Sequence, residues 1–154
     1  MLFRSTRTAV DLSDPRGRDD FLNDALTGAT KALVLTEGLS MYLEDRDIAT
    51  LSEALTRPEV AWWMLDFAFP GLKKTMNTKM AGLLQNAPFK FAPDNGLAYF
   101  ENLGWRVVEA QSAFVAAHRF RRLPLFMRPF AWLPQPDLRN PGGWRWSAVA
   151  LLTH

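Results

Sequence analysis

Apolar residues in this chain gather into short compact runs separated by amphipathic stretches, so strand and helix periods alternate along it. The runs at 31–36 (KALVLT) and 60–67 (VAWWMLDF) lack strict in/out alternation, as strands covered on both faces do. Between them, residues 45–56 place acids in the first turn, set Ile48, Leu51 and Leu55 on one stripe, and meet Pro58 just past the end. That arrangement predicts a helix, and with its flanking runs a strand-helix-strand crossover. A shorter strand is expected at 6–10. The second half repeats the theme: Leu97, Phe100 and Leu103 share a helical face within 94–103, and Gly104 stands in the terminating position. Strand-length runs follow at 105–111 (WRVVEAQ) and 145–152 (RWSAVALL), and these two are expected to pair antiparallel at one edge. The segments 70–93 and 113–143 read as irregular insertions, the second rich in proline, and insertions of this length often cap a ligand site. The pattern is that of a layered α/β sheet in one domain spanning 1–154.

Composition narrows the chemistry. Cysteine is absent and histidine occurs only at 118 and 154, which leaves no thiolate metal site and no His-based catalytic dyad. No signal-peptide or membrane-spanning run is evident, so a cytoplasmic address is expected. Charge is unevenly placed: residues 1–60 hold seven Lys/Arg against eleven Asp/Glu, and residues 61–154 hold eleven against five. The basic residues do not interleave with aromatics and glycines as in a nucleic-acid module, so no nucleic-acid partner is expected. In 117–132 arginines alternate with large apolar residues, but Pro124 and Pro129 interrupt a helix there; a lid over a pocket is the better reading than a membrane-surface segment.

A succession of short motifs carries a resemblance. Residues 35–43 read LTEGLSMYL, between the first central strand and the first helix, and contain the pattern EGL-x-x-YL. Around it stand AVDL at 9–12, LDF at 65–67, APFKF at 87–91, FENLGWRVVE at 100–109, RRLPLFMR at 121–128 and the closing RWSAVALL. In this order they resemble the leucine carboxyl methyltransferase-like family of class I S-adenosylmethionine-dependent methyltransferases. The resemblance implies a Rossmann-like sheet, mostly parallel with an antiparallel C-terminal edge pair, of which this chain is the C-terminal part with the first two strands missing; the gap is then closed by the 6–10 strand pairing on the exposed edge or by a docked chain, or residues 1–30 are loosely attached. It further implies S-adenosylmethionine as cofactor and a small-molecule or peptide carboxylate as methyl acceptor. By the same resemblance Asp11 and Leu12 contact the adenine end of the cofactor, Glu37 faces its methionine part, and Tyr42 lines the pocket. No residue is implied as a general base, because in-line displacement from a sulfonium needs positioning and a dry, shaped site.

Other readings of the same residues stand beside these. Asp11 precedes Leu12-Ser13-Asp14-Pro15 and suits a turn cap, whereas Glu37, flanked by an aliphatic strand, is poorly placed as a merely solvated group. Tyr42, Trp62, Trp63, Trp105, Trp144 and Trp146 read as packing residues. The chain also departs from the family. None of its nine glycines forms the G-x-G spacing of a cofactor-binding turn. Little or no turnover is therefore expected of this chain alone, and the sheet edge left by the missing strands is expected to favour self-association or a partner chain.

Overall fold

The computed structural model describes residues 5–82, 87–132 and 134–154. The predicted runs form β1 (Ala32–Thr36), β2 (Val60–Ala68), β3 (Arg106–Ser112) and β4 (Ser147–Thr153), in the sheet order β1-β2-β4-β3. Strands β1 and β2 are parallel and are joined through α2 (Asp45–Ala54), as a crossover requires. The last strand returns between β2 and β3 and is antiparallel to both, so the fold is α/β with a mixed sheet. The expectation of a mostly parallel sheet is corrected: among the described residues one ladder is parallel. The antiparallel pairing of the last two strands is as expected, with β3 at the edge.

The core lies on one face of this sheet. Trp63, Leu65 and Phe67 of β2 and Ala148, Ala150 and Leu152 of β4 point to that side. They meet Ile48 and Leu51 of α2, and Leu97 and Phe100 of α4 (Leu97–Asn102). Alanines on β4 leave room for rings: Trp63 meets Phe100 edge-on at 5.8 Å and Trp105 at 5.3 Å. Both indoles also satisfy their N–H groups, Trp63 on Thr36 Oγ1 at 3.0 Å and Trp105 on Ser52 Oγ at 2.8 Å.

A helix not foreseen, α1 (Pro15–Leu26), backs this layer. Asp14 caps it by accepting from the backbone N–H groups of Arg16 and Gly17, and Pro15 occupies its first turn. Its Leu22 enters the core, and its buried Arg18 donates to Thr50 Oγ1 of α2 at 3.0 Å. The strand expected at 6–10 is not formed: those residues are irregular and largely exposed, and they join none of the sheet's ladders although the outer edge of β1 is open. The two insertions hold helices as well. These are α3 (Pro70–Lys79), α5 (Ala113–Arg119), capped by Ser112, and a 3₁₀ segment at Leu125–Trp132.

Among the described residues the opposite face of the sheet has little cover. Leu33 and Leu35 are 54% and 57% exposed, and Trp62 and Val149 are also open to solvent. The register explains their company: Leu33 lies opposite Trp62, Leu35 and Leu151 flank Met64, and Val149 lies opposite Asp66. Coverage of β1 and β2 on both faces is thus corrected. The helices α1, α2 and α4 all contribute to the single core on the other side. Trp62 and Trp144 are correspondingly not packing residues, whereas Trp63 and Trp105 are buried and Trp146 stacks on Phe114 at 4.3 Å.

Candidate functional site

The carboxyl ends of β1 and β2 bring two acids together. Glu37 is the first residue after β1, and Asp66 lies near the end of β2 on the open face. The intervening turn is fixed by glycine chemistry. Gly38 has φ 62, a left-handed conformation that side-chain-bearing residues seldom adopt, and its N–H donates to Asp66 Oδ1 at 2.9 Å. Ser40, buried in the 3₁₀ turn Ser40–Tyr42, donates its hydroxyl to the Asp66 carbonyl and ties the turn to β2 a second time.

This geometry sets the electrostatics. Partial burial pushes the Asp66 carboxyl above the ordinary range; the Gly38 N–H works against that shift, and the neighbouring Glu37 charge adds to it. Glu37 itself is exposed, so the shelter expected for it is not provided by the described residues. Two carboxylates at the ends of adjacent parallel strands form an acidic corner where open α/β sheets place their ligands. Asp66 was not singled out from the sequence. Its signal was the lone acid inside an apolar strand run, LDF at 65–67.

The other expected site residues lie apart from this corner in their contacts. Asp11 is exposed and accepts from Ser13 N–H at 2.9 Å and Ser13 Oγ at 2.7 Å, which holds its carboxyl below the ordinary range. It is a turn residue that precedes the α1 cap. Leu12 is half-buried. Among the described residues no hydrogen bond or ion pair links Asp11 or Leu12 to Glu37, Gly38 or Tyr42. Tyr42 is half-buried and meets Phe89 edge-on at 5.4 Å, so it packs the segment after residue 87 against the turn.

A broad open cleft of about 720 Å³ lies beside α3, lined by Asp45, Lys73, Lys74, Asn77, Asp94 and Tyr99 among others. It sits at the same end of the sheet, since Asp45 opens the helix after β1 and Pro70 opens the helix after β2. Lys73 donates to the Lys90 carbonyl, and Asn77 spans the backbone of Phe89, accepting at 2.9 Å and donating at 2.7 Å. Lys74 also lines the adjoining hollow, with Lys79 and Arg145. On the open sheet face a shallow depression of about 170 Å³ lies between Met64, Glu109 and Leu151.

The segment expected to act as a lid closes on none of these hollows. Phe120, Leu125, Phe126, Phe130 and Trp132 are all exposed. No helix among the described residues is long and apolar enough to cross a membrane, and no group of three potential metal-ligating His, Cys, Asp or Glu side chains occurs among them. The chain matches no known family model and no curated protein.

Proposed function

We propose that this chain is the C-terminal part of a class I S-adenosylmethionine-dependent methyltransferase domain of the leucine carboxyl methyltransferase-like family, acting on a small-molecule or peptide carboxylate. The observation that carries the reading is the acidic corner: Glu37 and Asp66 at the carboxyl ends of adjacent parallel strands, held by the Gly38 turn. It coincides with the EGL-x-x-YL motif on which the resemblance rests. The crossover through α2 and the closing antiparallel pair β3/β4 support the same reading.

The residues present suit one end of the cofactor. S-adenosylmethionine supplies an electrophilic methyl on a sulfonium, and its methionine part carries an ammonium. Glu37, free of any described side-chain partner and next to Asp66, complements those positive charges. The cleft beside α3 opens at the same end of the sheet, and Lys74 there suits an acceptor carboxylate. In this reading the chain's own contribution is orientation, with Glu37 fixing the donor and Lys74 steering the acceptor toward it.

The uncovered face limits what the chain does alone. In-line methyl transfer needs a site that excludes water, and here the sheet beside Asp66 is open to solvent. The glycine turn and ribose-holding acid of related enzymes are also absent from this sequence. Weak cofactor binding with negligible turnover is the expected behaviour. Titration calorimetry with S-adenosylhomocysteine tests it: saturable binding that is lost in Glu37→Ala supports the reading. Failure of the folded wild-type chain to bind, or binding indifferent to Glu37→Ala, rejects it.

A further inference from the structure

The outer edge of β1 is the clearest unsatisfied feature of the fold. Strand β1 stands at the end of the sheet, and among the described residues no strand pairs with its outer side. Edge strands are commonly blunted by proline, by inward charges or by a bulge facing out. Over Ala32–Thr36 the sequence ALVLT has no proline and no charge. Its charges stand just outside, Lys31 before the strand and Glu37 after it, and both side chains are exposed.

We propose that a second copy of this chain pairs with β1 edge to edge, antiparallel, about a two-fold axis through Val34. The sequence KALVLTE at 31–37 is self-complementary in that register. An antiparallel pairing centred on Val34 sets Lys31 opposite Glu37 of the second copy, Ala32 opposite Thr36, and Leu33 opposite Leu35. Each charged pair occurs twice by symmetry, and opposite charges directly across an antiparallel pair are favourable.

The face on which these residues stand adds a second term. Directly opposed residues of an antiparallel pair project to the same side, so Leu33 and Leu35 of both copies form a four-leucine cluster on the open face. Trp62 and Met64 extend that cluster in each copy, because β2 places them opposite Leu33 and Leu35. The pairing partly buries the two most exposed large apolar residues of the strands. A shift by one residue would break it, placing Lys31 against Thr36 and Val34 against a leucine. A five-residue edge buries less than a standard interface, so the dimer is weak and concentration-dependent rather than obligate.

The pairing shares Glu37 with the proposed cofactor site, so Lys31 is the residue that tells the two apart. Lys31 has no place in the proposed cofactor site, so Lys31→Glu probes the edge without touching that site. Sedimentation equilibrium of the full chain over a wide concentration range tests the proposal, with circular dichroism as the control for folding. A monomer-dimer equilibrium is expected, weakened by about tenfold in Lys31→Glu and similarly in Glu37→Lys, and restored in the double charge reversal. A chain that stays monomeric at every concentration overturns it. So does a dimer indifferent to both reversals, which would place the contact on the open face or at the apolar 120–132 stretch, and so does association only with a different protein.

Discussion

The two faces of the sheet are built from the same strands and end in opposite states. On one side Trp63, Leu65 and Phe67 are wholly buried beneath α2 and α4, with hydrogen-bonded indoles and closely spaced rings. On the other, Leu33, Leu35, Trp62 and Val149 face solvent. Residues alternate between the faces with period two, so a single strand carries a finished core and an unfinished one side by side. Stability belongs to the first face. The proposed cofactor contact and the proposed self-pairing both belong to the second, at the carboxyl end and at the outer edge of β1.

The largest expected contrast comes from truncating one ring. Trp63→Ala should cost about 3–5 kcal/mol by urea denaturation, because it empties a site shared by Phe100, Trp105 and the Thr36 hydroxyl. A cost below about 1 kcal/mol would mean the covered face is not the folding core. Next is the cap of the outer helix on that side. Asp14→Ala should lose about 1 kcal/mol in the same assay, since Asp14 accepts from two backbone N–H groups at the start of α1.

The acidic corner gives a pH-dependent contrast of smaller size. Asp66 is held above its ordinary carboxylate range in the fold, chiefly by burial. Between its unfolded and folded pKa the native state therefore binds more protons than the unfolded chain, and stability falls as pH rises through that window. Asp66→Asn should remove that component of the pH slope, while an unchanged slope would mean that Asp66 is solvated in the native state. Smallest of all, Leu35→Thr on the open face should alter stability by no more than about 0.5 kcal/mol, yet lower binding of a hydrophobic dye. A Leu35→Thr cost equal to that of Trp63→Ala would erase the distinction between the faces.

How far the sequence discloses this fold depends on what each signal encodes. The four strands were legible because each is a dense apolar run, and α2 because its stripe and acidic first turn agree. Coverage was not legible. A run such as VAWWMLDF has the same appearance whether its second face meets helices or water, since Trp62 and Met64 are apolar in either case. The strand expected at 6–10 failed for a related reason: strand character is completed by a neighbour, and the run TRTAV does not encode whether it docks on an open edge such as that of β1. Helix α3 escaped notice because it buries none of its residues and so carries no apolar stripe. Of the site, Glu37 was marked by its motif. Asp66 was hidden within a strand run, and only the register and the Gly38 hydrogen bond bring it beside Glu37.

Amide-resolved NMR during titration with S-adenosylhomocysteine tests the central claim most directly, because it reports both regions of the sheet and the cleft beside α3 in one experiment. The account predicts saturable shifts confined to residues 36–40 and 66–68, with the amides of Lys73, Lys74 and Asn77 and those of the covered core left in place. Shifts centred on α3 instead, or no saturable shifts in a folded chain, would contradict it.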